Sequence, residues 1–265
     1  MKNTAVFELK NALRLVFQNK LKLLACVIAE ILFFFIYGLA TAPIYLKLVQ
    51  YTNIIGALAS DALTAAAREQ KSVMSVLSSE AIKPYLIDVF LLLLLLCAVA
   101  FLLYCVFQSF IWSMSLSMAG RKTRYLDYLK KFMLVNIVWL LFFIVYYFAG
   151  FAVEIRGAAI KTIAQAAPSN ALHIVLSAYL VIVFYFAVIS YIELSAKKSF
   201  GFGVRNIREL LPAWLIIAAY FLILQLVLSQ VVQLNYIAGI AAGIIVTIPS
   251  LTIARVYISR VVQKT

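Results

Sequence analysis

Apolar residues run along this chain in long blocks, and charged residues mark the borders between them. From 213 to 254 no side chain carries a charge for 42 residues. As one helix that block would be about 63 Å long, roughly twice the hydrocarbon thickness of a bilayer. It must fold back on itself, and the turn is predicted at its most polar point, Gln233, Leu234, Asn235 and Tyr236. Four apolar blocks precede it. They are 23–46 with the single charge Glu30, 85–119 with the single charge Asp88, and 132–153 and 171–192 with none. Inside lipid every backbone N–H and C=O must be satisfied within the segment, so each block is predicted to be a helix. The expected spans are 23–46, 85–117, 132–153, 171–192, 212–233 and 236–257. The 85–119 block is too long for an upright span and too short for two, so tilt or projection past the membrane is expected.

Three spacings of three and four residues recur ahead of the outgoing spans. Val6, Leu9, Leu13 and Val16 fall on one helical face, away from Asn11, Arg14 and Gln18. Tyr125, Tyr128, Leu129 and Phe132 oppose Arg124, Asp127, Lys130 and Lys131. Phe200, Val204, Ile207 and Leu211 oppose Arg205, Asn206, Arg208 and Glu209. Such patterns predict interfacial helices. The expected fold is therefore an all-α integral membrane protein, one domain over 1–265. Its six transmembrane helices form three helical hairpins, each preceded by a short basic amphipathic segment. Pro212 is expected at the first turn of the fifth span. The connections 47–84 and 154–170 are expected as longer outer loops, with Pro168, Ser169 and Asn170 stopping one helix and capping the next.

Composition agrees with this class. The chain of 265 residues is 66% hydrophobic, with mean hydropathy +1.04 and 12% charged residues, about half the charged share of soluble domains. The net charge of +13 reads as topology. Of the 23 basic residues, 17 lie in the stretches 2–22, 121–131, 197–208 and 255–264, which fall on one face; the other six lie in 47–83 and 156–161. That asymmetry over short loops places both termini in the cytoplasm, in a multi-pass protein of the cell membrane. Nucleic-acid binding would need a basic patch on a folded aqueous domain, and no segment is long enough for one. Ala40, Thr41 and Ala42 have the form of a signal-peptidase site, but Pro43 follows and the basic lead is long, so the first span is expected to stay uncleaved. Cys26, Cys97 and Cys105 all lie inside spans and read as small packing residues rather than a disulfide framework.

Glu30 is the sharpest single signal. It lies eight residues past Lys22, about 12 Å into the first span, where an ionisable group costs about 2.5–3.5 kcal/mol on insertion scales. Gln108, Ser109, Tyr220, Thr247, Ser250 and Thr252 lie at similar depth on other spans, which points to an intramembrane polar cluster with Glu30. Proton coupling or a cationic ligand are its functional readings; a structural carboxyl bonded to Gln108 or Tyr220 is the structural one. Gln225, Gln230 and Gln233 read as amides that glue helices together. Gly239 and Gly243 form a G-x-x-x-G that permits close helix packing, within the bundle or against a second copy. His173 stands alone, so no zinc site is expected. No motif calls for a cofactor.

The lead-ins 10–24, 124–136 and 200–215, each followed by two spans, resemble a broad group of uncharacterised prokaryotic six-span membrane proteins. That group includes the membrane domain found beside some glycerophosphodiester phosphodiesterases. The resemblance implies a membrane-embedded module and assigns no site. The function expected is a non-enzymatic, transport-type or membrane-accessory role. One alternative is a permease subunit docking a separate ATPase through 197–211; another is a lipid-active enzyme. Partners expected are the bilayer, its anionic head groups, a second copy or an ATPase subunit, and no nucleic acid.

Overall fold

The structure, a computed structural model, describes residues 4–69, 80–163 and 171–265. These form eight helices and no strand: α1 (Thr4–Gln18), α2 (Lys20–Glu69), α3 (Lys83–Met118), α4 (Tyr125–Ile163), α5 (Ala171–Glu193), α6 (Ala196–Arg205), α7 (Ile207–Leu234) and α8 (Tyr236–Lys264). Six of them are long and apolar enough to cross a membrane: Lys20–Leu58, Lys83–Met118, Tyr125–Glu154, Ala171–Glu193, Ile207–Leu234 and Tyr236–Lys264. The protein is a multi-pass membrane protein. Large exposed apolar side chains such as Leu222, Leu226 and Ile245 are its lipid-facing surface.

The helices are longer than the apolar blocks. α2 runs 50 residues, carrying the first span into the stretch expected as an outer loop, and α4 extends likewise to Ile163. The side chains of 59–69, and residues 70–79 and 164–170, including the expected stop at Pro168, lie outside the described residues. The second lead-in is not a separate segment: Tyr125 to Phe132 is the first two turns of α4, because nothing between Arg124 and the span breaks a helix. α7 begins at Ile207, upstream of Pro212, which sits inside the helix rather than at its first turn. Glu209 in that first turn complements the positive end of the helix dipole.

Local chemistry sets the breaks. α1 and α2 are separated only by Asn19, whose side-chain Nδ2 donates to Leu15 O at 2.8 Å. α3 ends where Gly120 takes φ +100°. Its N–H and that of Arg121 then reach back to Ser117 O at 3.3 Å and Leu116 O at 2.9 Å, the left-handed closure that glycine permits. α6 starts after Ser195, whose hydroxyl accepts from Lys198 N. Asn235 is the whole turn between α7 and α8. It is extended, and its Oδ1 accepts from Ala238 N at 3.0 Å, so one residue both ends a helix and caps the next.

The chain divides into two compact units, Met1–Ala29 with Gln108–Thr265, and Glu30–Phe107. In the second, α2 and α3 meet through aromatic rings. Phe33 lies 6.5 Å from Tyr104 and 5.9 Å from Phe107, and Tyr51 lies 5.9 Å from Tyr85. In the first, α7 lies along α8, α1 lies along α8, and α5 lies against α4 and α6.

Candidate functional site

Within the first unit, polar side chains are arranged in three places. The first is a clasp of charge. Glu8 on α1 is fully buried, although the flanking Val6 and Phe7 are 55% and 58% exposed. Arg260 Nε donates to Glu8 Oε2 at 3.3 Å, and Lys264 Nζ donates to Oε1, which Asn11 Nδ2 also approaches at 3.4 Å. Arg260 further donates to Ala119 O. The buried stripe of α1 is thus Glu8, Ala12 and Val16. Of the apolar line Val6, Leu9, Leu13 and Val16, Val16 is buried, Leu9 and Leu13 are half-buried and Val6 is exposed.

The second place joins α4 and α5. Tyr191 Oη donates to Asn136 Oδ1 at 2.8 Å, Tyr128 Oη to Tyr191 O at 2.6 Å, and Trp139 Nε1 to Ser190 Oγ at 2.7 Å. Arg121 donates to the Ile192 carbonyl. Apart from Arg121, which is half-buried in the connection before α4, these side chains are buried, and their bonds fix α5 against α4. α6 sits on this assembly through small residues. Ser199 and Gly203 are buried, Phe200 lies 4.6 Å from Phe186 and 5.6 Å from Trp139, and Tyr185 Oη donates to Gly203 O at 2.9 Å. Val204, on α6, and Ile207 and Leu211, in the first two turns of α7, are exposed.

The third place is a cleft of about 190 Å³ between α1, α7 and α8. Its floor is Ser250 and Tyr257, and its walls are Leu9, Leu13, Ile216 and Phe221. Tyr220 Oη and Ser250 Oγ are 2.6 Å apart, and Ser250 Oγ donates to Val246 O at 2.7 Å. Ser250 has then used its only proton, so Tyr220 is the donor between them. Tyr257 is fully buried, and its hydroxyl has no hydrogen-bond partner among the described residues. No family model, curated protein or solved structure matches this chain. What the site can do must therefore be argued from its geometry.

The predicted polar cluster is placed as follows. Glu30 is 1% exposed on α2 and belongs to the second unit, whereas Gln108, Ser109, Tyr220, Thr247, Ser250 and Thr252 belong to the first. Among those six, Tyr220 and Ser250 are brought together across α7 and α8. Gln108 Oε1 instead accepts from Arg255 Nη2 at 3.0 Å, with the guanidinium 5.8 Å over the Trp112 ring. Ser109 and Thr252 are buried and Thr247 is half-buried. Of the two glycines, Gly239 is the one at a close approach. A Cβ there would lie 2.4 Å from Val232 Cγ2 and 2.7 Å from Val232 Cα, while at Gly243 it would meet nothing within 4 Å. His173 is exposed near the start of α5.

Sequence reasoning missed Glu8, Arg260, Lys264 and Arg255 as partnered groups. One signal was available. Glu8 is the only acid before Glu30, and no acid follows Glu209, so the tail cations had no local counter-charge and Glu8 was the natural long-range one.

Proposed function

We propose that this is a non-catalytic multi-pass membrane protein of the transport or membrane-accessory type, with both ends cytoplasmic, that takes up a small lipophilic molecule from the bilayer. The observation that carries this reading is the half-open cleft between α1, α7 and α8. An apolar cavity of about 150 Å³ stays dry and accepts benzene. A cleft of about 190 Å³ lined by aliphatic and phenolic groups offers the same kind of site to a ring or a short acyl segment. Its lining is chemistry that holds a molecule by shape and a few hydroxyls. The bias of basic residues supports the cytoplasmic ends.

The test is binding of a fluorescent naphthyl lipophile to protein in nanodiscs, with Leu13→Trp as the variant that fills the cleft. Saturable binding by the parent, weakened at least tenfold in Leu13→Trp while the melting temperature holds, is expected. Equal binding by both would overturn the reading. Flux of the same probe through proteoliposomes separates transport from an accessory role.

A second reading, a permease subunit docking an ATPase, is favoured by α6. This short helix lies between two spans, anchored by Ser199, Gly203 and Phe200, with Lys197, Lys198 and Arg205 exposed. Recovery of an ATPase with the purified protein, lost when these three cations are replaced, would select it.

A further inference from the structure

α7 carries amides where a lipid-facing helix should carry none. Gln225 lies ten residues before the Asn235 turn, about 15 Å along the helix and so near the middle of the hydrocarbon. Its side chain is exposed and bonds to no described residue. Leu222 is 62% exposed, and Ala218 and Ser229 are also exposed. Ala218, Leu222, Gln225 and Ser229 follow spacings of four, three and four, the seam of a left-handed helix pair. Gln233 continues the same flank one turn beyond Ser229 and is exposed too. The half-buried positions Ile217, Phe221, Leu224 and Leu228 follow a neighbouring line, so the amide seam lies beside the surface that α8 occupies.

Hydrocarbon offers an amide neither donor nor acceptor, and leaving one unsatisfied there costs several kcal/mol. Something must meet Gln225. We propose that it is Gln225 of a second copy of this chain, in a parallel dimer whose twofold axis stands along the membrane normal and runs beside α7. A carboxamide has both a carbonyl acceptor and an N–H donor, so two of them satisfy each other across a twofold axis. Depth favours the same chain as partner. A second copy inserts with the same topology, so its Gln225 lies at the same level without further adjustment, whereas an unrelated span would have to match that level by coincidence. The small side chains of Ala218 and Ser229 let the backbones approach. The G-x-x-x-G of α8 is not this interface, because Gly239 is already filled by Val232 of its own chain.

The experiment is resonance energy transfer between donor- and acceptor-fused copies of the full chain in liposomes, followed as lipid dilutes the protein. The parent is expected to show transfer that falls along a dimer dissociation curve. Gln225→Leu is expected to weaken the dimer by about 3- to 30-fold, the range of interhelical hydrogen bonds in bilayers, and Gln225→Asn to restore part of it. Because Leu suits a lipid-facing position, Gln225→Leu should melt no lower than the parent, which separates lost pairing from lost folding. A parent that stays monomeric at every dilution overturns the proposal and points to another protein's helix or a lipid head group as the partner. A dimer equally tight in Gln225→Leu overturns it as well.

Discussion

Arg260 Nε meets the Glu8 carboxylate at 3.3 Å across 252 residues of sequence, so the last helix holds the first by charge. Glu8 is fully buried, while Arg260 and Lys264 keep 26% and 42% of their side chains exposed. The cations reach the rim and stay partly hydrated; the acid does not. Removing the acid therefore loses the bonds without stranding a buried charge, and the converse is worse. Glu8→Gln is expected to cost about 1.5–3 kcal/mol, the scale of hydrogen bonds to charged groups, read as a lower melting temperature. Arg260→Ala combined with Lys264→Ala should cost more, because Glu8 is then left buried without its cations. In a double-mutant cycle the Glu8 and Arg260 losses should fall short of additive. Equal melting of Glu8→Gln and parent would show that the clasp holds nothing.

How much of this was legible depends on which force each element obeys. The six spans were legible because long apolar blocks with at most one charge can only be lipid-embedded, and the Asn235 turn because it falls at the most polar point of a block too long for one span. Which residues of α1 and α6 pack inside was not. A periodic apolar face marks an interfacial helix, but not which of its residues meet the rest of the chain. Beside lipid the apolar face can look outward, and small or polar residues take the inside. Ser199 and Gly203 in α6, and Glu8 and Ala12 in α1, are the buried positions, while Val204 and Val6 look out. Pairs such as Gln108 with Arg255 were out of reach because they depend on which helices become neighbours.

Gly239 and Gly243 look equivalent in sequence and are not in space. At Gly239 the added methyl would strike Val232 Cγ2 at 2.4 Å and, at 2.7 Å and 2.9 Å, its backbone Cα and N, which cannot swing aside. Gly239→Ala is expected to push α7 and α8 apart at a cost of about 1–3 kcal/mol. Gly243→Ala meets open space and should be neutral or gain up to about 1 kcal/mol of helix propensity. Size-exclusion profile and melting temperature of the two variants, side by side, check this. Equal behaviour would contradict the close approach.

The bond from Tyr191 Oη to Asn136 Oδ1 at 2.8 Å ties α5 to α4 in a buried setting. Tyr191→Phe keeps the rings packed against Trp112 and Phe132 and leaves Asn136 short of a donor. A loss on the order of 1 kcal/mol is expected. Adding Asn136→Leu to Tyr191→Phe should recover part of it, since replacing both partners by apolar groups removes the unsatisfied acceptor. Failure of the second change to restore any melting temperature would argue that Asn136 holds α4 through its other bond, to Phe132 O at 2.8 Å.

Tyr257 gives the opposite sign. Its hydroxyl is buried without a partner among the described residues, a burden of about 1–3 kcal/mol in proteins. Tyr257→Phe keeps the ring against the cleft and removes that burden. The variant is expected to melt at the same temperature as the parent or higher, with no ligand added. A clear loss of stability would show that the hydroxyl is satisfied in the membrane, by a molecule that travels with the protein.

The distribution of basic residues makes a prediction about sidedness that the helices alone do not. Lys122 and Thr265 follow α3 and α8, and Arg156 lies in the far half of α4. From Lys131, near the start of α4, to Arg156 is 25 residues, about 38 Å of helix, so the two mark opposite sides of a bilayer about 30 Å thick. With 17 of 23 basic residues on the side of Lys122 and Thr265, that side should be cytoplasmic. Single cysteines placed at these positions, in a background without Cys26, Cys97 and Cys105, read this with a membrane-impermeant maleimide. Arg156→Cys should label from outside intact cells. Lys122→Cys and Thr265→Cys should label only after permeabilisation. Labelling of Lys122→Cys and Thr265→Cys from outside, with Arg156→Cys protected, would invert the topology, and opposite behaviour of Lys122→Cys and Thr265→Cys would require an odd number of spans between them.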